Sequence, residues 1–338
     1  MKCAVFHGPG DLRVENRAAP QIGSDDDVLL RVEAASICGT DLHILADPPG
    51  HPATPGAILG HEYIGEVLAA GQAVEGLRPG DRVVVDPNIT CGKCPYCRRG
   101  AANLCLNMTT LGIFRDGGFA ERNVAPARAL YPISKQTPLE QAVFAEPLSC
   151  VMNGYGQAGL TLGDCVVVLG AGPIGLLFVQ LFRAGGAGRV GVVEISQPRA
   201  RLAATTGADQ VWNPRRAQLE PAVREWSGGL GADIVVDTVG SLFAEAVGLV
   251  RRGGRVVLFG MNQQARPAVS QYQLTRHEIS VVGTFIARRT FPQTVRTLES
   301  GRLSLEPLIT HRIGLEGIAG VLPALQSGEA VEVFIRPG

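Results

Sequence analysis

Val166-Val167-Val168-Leu169-Gly170-Ala171-Gly172-Pro173-Ile174-Gly175-Leu176-Leu177-Phe178-Val179 reads as a short apolar strand, a glycine turn and the start of an apolar helix. The turn is a G-x-G-x-x-G in which Gly170, Gly172, Pro173, Ile174 and Gly175 are the candidate nucleotide-binding residues. Glycines in this pattern permit a tight turn, close approach of a pyrophosphate to the backbone, and close packing of helix on sheet. The helix N-terminus then offers its positive end to the phosphates. In a chain with 43 glycines the hexapeptide alone is weak, but its context is complete. Val190–Val193 forms the next strand, and Glu194 closes it 19 residues after Gly175. A carboxylate there accepts hydrogen bonds from adenosine ribose hydroxyls and repels a 2′-phosphate, which predicts NAD rather than NADP. Arg199 is the nearby side chain suited to hold a phosphate.

Outward from this turn, further apolar runs at Ile234–Val236, Val256–Phe259 and Ile279–Val282 read as buried strands. Helical patterns at Ile174–Ala184 and Pro198–Thr206 fit between strands of this set. Such alternation predicts a doubly wound parallel sheet of the α/β class over 148–285. The preceding 1–147 are rich in short strands and Gly/Pro turns, among them Val28–Glu33, Ile64–Leu68 and Arg82–Val85, as expected of a β barrel or sandwich. Residues 286–338, with a helix at Phe291–Ser300 and a closing apolar stretch Val331–Ile335, are expected to return to that first domain. Two domains suit a chain of 338 residues.

The 31 basic residues balance 31 acidic ones, so no net field draws in nucleic acid or an anionic membrane. Cys165–Phe182 is 18 residues without a charge, but its central glycines and proline argue for strand-turn-helix rather than a membrane span. The first ten residues lack the apolar core of a signal peptide, which predicts a cytoplasmic protein. In a reducing compartment, clustered cysteines are read as metal ligands before disulfides.

Cys91, Cys94, Cys97 and Cys105 are separated by two, two and seven residues. Four thiolates close a tetrahedral shell with no open position, so the expected ion is a structural zinc; an iron-sulfur cluster is the rival. Cys3, Cys150 and Cys165 read as core thiols. A second set, Cys38, His61 and a carboxylate, offers zinc sulfur, nitrogen and oxygen while keeping a position open, the pattern of a catalytic ion. Singly, each has a plain reading as a buried thiol, a core imidazole or a helix-start acid.

Gly60-His61-Glu62-Tyr63-Ile64-Gly65, continuing to Gly71 and Val74, resembles the zinc signature of the medium-chain dehydrogenase/reductase superfamily. The four-cysteine lobe, Cys38-Gly39-Thr40-Asp41, the nucleotide turn and Pro307–Arg312 fall in that family's order. The resemblance implies a GroES-like catalytic domain (1–147 and 286–338) and a Rossmann domain (148–285). Within the family, Glu146-Pro147-Leu148 resembles the polyol and sorbitol dehydrogenase branch. It implies Cys38 and His61 as zinc ligands with Glu62 or Glu146 as the third, and Thr40 and His43 as a relay for the substrate proton. Turnover would carry a hydride from a secondary alcohol to NAD⁺. Ile44 and Ile286-Ala287 replace polar residues of sorbitol dehydrogenases, with Arg288 or Arg289 nearby, and Cys38–Ile44 equally resembles L-threonine 3-dehydrogenases. A zinc- and nucleotide-binding protein without activity is the alternative of a different class. The resemblance further implies a homotetramer or homodimer, with Arg255–Phe285 as the stretch for that contact.

Overall fold

The computed structural model describes residues 1–338. They form two compact units: Met1–Ser149 with Ala287–Gly301 and Leu305–Gly338, and Cys150–Ile286 with Arg302–Ser304.

The second unit holds a six-stranded sheet, all parallel, in the order Gln210–Trp212, Arg189–Val193, Cys165–Leu169, Ala232–Asp237, Val250–Leu258, Ser280–Gly283. Chain order reverses between Cys165–Leu169 and Ala232–Asp237, and a strand reversal of this kind opens a crevice at the carboxyl ends of the strands. The fold is that of a Rossmann domain. Every residue of Cys165–Leu169 is buried, because a central parallel strand is covered on both faces and has no solvent side to make polar. The helix Pro173–Ala184 follows directly, with Gly175 to Phe182 all buried. Its Phe178 packs edge-on against Phe259 at 5.1 Å between ring centroids. Truncating such a ring to alanine costs about 3–5 kcal/mol.

One strand departs from expectation. Ile279–Val282 is expected as a buried strand; the strand runs Ser280–Gly283, with Ile279 buried but Ser280 and Gly283 exposed and Val281 and Val282 half-buried. It lies at the sheet edge with a single neighbour, Val250–Leu258, so only one side is covered. The strand Gln210–Trp212 at the opposite edge gave no apolar run to detect, although Trp212 is buried.

In the first unit, Asp27–Ser36 is the organising strand. It pairs antiparallel with Glu62–Ala70, Arg122–Pro126 and Glu332–Ile335 in a seven-stranded sheet. Val28, Leu30 and Val32 are buried at every second position, the signature of a strand with one face on a core. Two strands of the chain's tail join this sheet: Ile309–Ile313 pairs with Glu332–Ile335, which pairs with Asp27–Ser36. That pairing places Phe334 opposite Ser36, while Ser36 lies opposite Glu62 on the other side. A short ladder, Asn88–Ile89 on Thr109–Thr110, closes the base of the cysteine lobe.

Candidate metal centres and nucleotide turn

The strand Asp27–Ser36 ends two residues before Cys38, which caps the helix Gly39–Leu45 in an extended conformation. Its backbone N–H donates to Asp41 Oδ2 at 3.0 Å, so the turn is closed by a residue of its own helix. Gly60 precedes His61 with φ +89°, and any Cβ there would overlap the Phe119 ring; only glycine lets the chain enter this strand so tightly. Pairing of Ser36 with Glu62 then draws the two segments together. One ligand atom each from Cys38, His61 and Glu62 lies within 4.8 Å of the others.

The chemistry of this group suits a cation. Burial, aided by the neighbouring Glu62 carboxylate, pushes the Cys38 thiol up to about 12. Burial likewise raises the Glu62 carboxyl. Groups that cannot shed protons readily by themselves do so when a divalent ion offsets the charge. His61 Nδ1 and Asp41 Oδ1 are both buried without a hydrogen-bond partner and face each other at 3.7 Å. With Nδ1 turned to a carboxylate, the opposite ring nitrogen is the one left to ligate, and the carboxylate orients the imidazole from behind.

Of the two carboxylates expected here, the structure gathers Glu62 and leaves Glu146 outside the group. Glu62 follows His61 directly and faces Ser36 across a strand pair, whereas Glu146 is buried in the first turn of the separate helix Ala145–Ala158. Thr40 Oγ1 accepts from the Cys38 thiol at 3.6 Å. His43 is exposed in the last turn of Gly39–Leu45. Ile44 is fully buried in the core, so its side chain faces packing partners and not solvent. Arg288 and Arg289 are exposed.

Three residues that sequence reasoning missed surround the group: Asp41, Ser36 and Glu332. Asp41 carried a signal, an acid three positions after a helix cap, which is the spacing of a capping box. Ser36 and Glu332 carried none, since their meeting depends on strand register across 296 residues of chain.

In the lobe, the Sγ atoms of Cys91, Cys94, Cys97 and Cys105 all lie within 4.8 Å of one another. Backbone N–H groups point at the sulfurs: Cys91 N–H at Cys105 Sγ (3.3 Å), Cys94 N–H at Cys91 Sγ (3.4 Å) and Asn107 N–H at Cys105 Sγ (3.4 Å). The N–H groups of Lys93 and Cys94 lower the Cys91 thiol to about 6. Such donors stabilise thiolates, and four of them make a closed shell for zinc. All eight cysteines are free thiols, with Cys3, Cys150 and Cys165 buried.

At the nucleotide turn, Gly172 is extended and Pro173 opens the helix at its first position. A Cβ at Gly175 would overlap the Gly170 carbonyl, which fixes glycine there. A Cβ at Gly172 meets only Arg199 Nη1, at 3.9 Å, so the turn keeps an open flank beside a guanidinium. Glu194 is buried and doubly engaged: Ala171 N–H donates to Oε2 at 2.7 Å and Ser196 N–H to Oε1 at 2.6 Å. The carboxylate therefore clamps the glycine turn to the end of the neighbouring strand. Asp237, at the end of the adjacent strand, was not anticipated; it accepts from the backbone N–H groups of Val239, Gly240 and Leu242 and braces the facing loop.

Two family models match the chain: the alcohol dehydrogenase GroES-like domain over 24–135 and the zinc-binding dehydrogenase over 173–300. D-arabinitol dehydrogenase 1 of Uromyces fabae is 32% identical over 350 aligned positions, covering 100% of this chain and 97% of that protein. A zinc-binding dehydrogenase of Sinorhizobium meliloti 1021 solved with NADP superposes with a TM-score of 0.94 at 34% identity, covering 99% of both chains. The alcohol dehydrogenase RspB of E. coli CFT073, solved with NADH, gives 0.92 at 31% identity over 99% of both chains. The chain belongs to the zinc-binding alcohol dehydrogenase family and is an oxidoreductase. No helix is long and apolar enough to cross a membrane.

Proposed function

We propose that this enzyme oxidises a secondary alcohol of a polyol or sugar alcohol to the ketose or ketone, passing the hydride to NAD⁺. The observation that carries the reading is the mixed sulfur, nitrogen and oxygen group of Cys38, His61 and Glu62, three donors that leave a cation open to a substrate hydroxyl. When bound, zinc supplies Lewis acidity that lowers the pKa of that hydroxyl and NAD⁺ supplies the hydride acceptor. Cys38, His61 and Glu62 hold the ion, with Asp41 orienting His61. Thr40, whose hydroxyl touches the Cys38 thiol, receives the substrate proton, and exposed His43 returns it to solvent. Cys91, Cys94, Cys97 and Cys105 hold a second, structural zinc. Glu146 supports the open centre from outside its ligand set.

Gly170, Gly172, Pro173, Ile174 and Gly175 receive the pyrophosphate, and Glu194 accepts from the adenosine ribose. Both Glu194 oxygens already accept backbone N–H groups, which holds the negative charge where a 2′-phosphate would lie. Arg199 beside Gly172 is the competing influence. A polyol is supported by the arabinitol dehydrogenase relative and by the absence of net charge, since an uncharged substrate needs no steering field. The Cys38–Ile44 turn favours L-threonine as the second reading. Eight free thiols favour a reducing cytoplasm. The edge strand Ser280–Gly283, with one free side, suits assembly into a homodimer or homotetramer, which sedimentation velocity tests.

The deciding experiment is a screen of sorbitol, xylitol, arabinitol, galactitol, small diols and L-threonine with NAD⁺ and NADP⁺ in parallel. NADH formation on a polyol, with NAD⁺ preferred by tenfold or more, is the expected result. Turnover confined to L-threonine replaces the substrate assignment, NADP⁺ preference overturns the role of Glu194, and no turnover on any alcohol removes the reading. Glu194→Ala should lower the preference for NAD⁺ about tenfold, read as the ratio of kcat/KM values.

A further inference from the structure

Glu332 is 2% exposed and its Oε1 has no hydrogen-bond partner. It begins the strand Glu332–Ile335, whose other members, Val333, Phe334 and Ile335, are buried apolar residues, so packing gives no reason for a carboxyl here. A carboxyl held in a core without full hydrogen bonding is retained against a desolvation penalty.

Its neighbours supply a reason. Phe334 lies opposite Ser36, and side chains two apart on a strand share a face, so Glu332 points to the same face of the sheet as Ser36. Ser36 in turn lies opposite Glu62. Three adjacent strands thus place Glu62 opposite Ser36 and Glu332 diagonally from it on the same face, all at 3% exposure or less. Ser36 Oγ–H donates to Glu62 Oε2 at 2.5 Å, and the Glu332 carboxyl is close enough to interact with the same hydroxyl. Having given its only proton to Glu62, Ser36 has lone pairs to accept with. Burial, then the charge of Glu62, hold the Glu332 carboxyl well above the usual carboxylate range.

We propose that Glu332 is a positioning residue for the open metal centre: through Ser36 it fixes the orientation of the Glu62 carboxylate and thereby sets how tightly the centre holds its cation. Glu332 itself touches neither ion nor substrate. The proposal rests on the reading of Glu62 as a ligand.

The test measures zinc retention of the full-length protein against a graded chelator, together with the visible spectrum after cobalt replaces zinc at the open centre. Glu332→Leu should weaken zinc at that centre about tenfold to a hundredfold and shift the cobalt bands, while the four-cysteine zinc stays. Glu332→Gln, whose carboxamide keeps a donor for Ser36, should restore retention to within about threefold of the parent. Ser36→Ala should weaken the centre by itself, and adding Glu332→Leu to it should change nothing further. The proposal is overturned by a Glu332→Leu protein with parental retention and spectrum, by Glu332→Gln behaving like Glu332→Leu, or by additive effects of Ser36→Ala and Glu332→Leu. Should Glu332→Leu fail to fold, Ser36→Ala with parental retention overturns it equally. Glu62→Gln separates the two readings. Loss of open-centre zinc there alongside parental Ser36→Ala sinks this inference alone, whereas retention in Glu62→Gln sinks the ligand assignment and this inference with it.

Discussion

Cys91, Cys94, Cys97 and Cys105 meet within fifteen residues of chain, whereas Cys38, His61 and Glu62 meet only because one strand pair aligns Ser36 with Glu62. The lobe's sulfurs are faced by backbone N–H groups that follow from the turns of the lobe itself, and Cys91 is held near 6. At the open centre, burial dominates: Cys38 is driven to about 12, and the polar support comes from Asp41 and Ser36, which flank Cys38 in the chain, and from Glu332 on a distant strand. A closed structural shell is therefore encoded locally, its backbone N–H groups holding Cys91 and Cys94 down while burial raises Cys97 to about 11. An open centre is assembled at long range, where burial raises both its thiol and its carboxyl.

Breaking each centre should have opposite consequences. Cys38→Ser is expected to reduce turnover by about a thousandfold or more, the scale of removing a principal electrostatic element from a site. Zinc analysis should fall by the share of the open centre, with the thermal midpoint little changed. Wild-type-like activity in a zinc-depleted Cys38→Ser protein would refute the catalytic assignment. Cys94→Ser should instead destabilise, by about 3 kcal/mol or roughly 6–12 °C in Tm, through loss of the ion that closes the lobe. Calorimetry with metal analysis checks this, and an unchanged Tm at unchanged zinc content would show that the lobe does not depend on a bound ion.

Asp41→Asn sharpens the contrast further. Removing the charge behind His61 should loosen the open centre's zinc about tenfold to a hundredfold without touching the lobe; equal loss from both centres would mean a global effect. His43→Ala should slow turnover about tenfold at neutral pH and alter the pH-rate profile, because the outer proton acceptor is gone. A superimposable profile would place the relay elsewhere.

A pH-dependent effect belongs to Asp86, at the foot of the lobe, whose carboxyl burial raises to about 6. A carboxyl with a folded-state value above its unfolded value of about 3.9 favours folding when both states are protonated, at low pH, and loses that contribution as pH rises through 6. Asp86→Asn should therefore leave stability near pH 4 almost unchanged and raise it by about 2–3 kcal/mol at pH 7, seen in denaturant midpoints. A gain confined to low pH would reverse the sign and refute it.

The lobe was wholly legible from spacing, because all four of its ligands lie in one loop. The nucleotide turn was nearly so: strand and glycines are contiguous and Glu194 closes the next strand 19 residues on, though the clamp of Glu194 on Ala171 needs two neighbouring strands to exist. At the open centre, Cys38, His61 and Glu62 could be named from local motifs, but that Glu62 and not Glu146 gathers beside Cys38 and His61 could not, since it turns on which element faces Ser36. The edge position of Ser280–Gly283 was equally hidden, because an apolar run does not reveal how many strands lie beside it.

Sequence alone placed the strands at Val166–Leu169 and Val190–Val193 with the helix after the glycine turn, marked the turn that suits a dinucleotide, and marked the thiols that can close a shell, because each follows from side chains within a few turns of chain. Tertiary structure alone decided the surroundings of the open centre. Register across Glu332–Ile335, Asp27–Ser36 and Glu62–Ala70 sets which buried polar groups meet, and strand register is a property of the assembled sheet that no single segment carries.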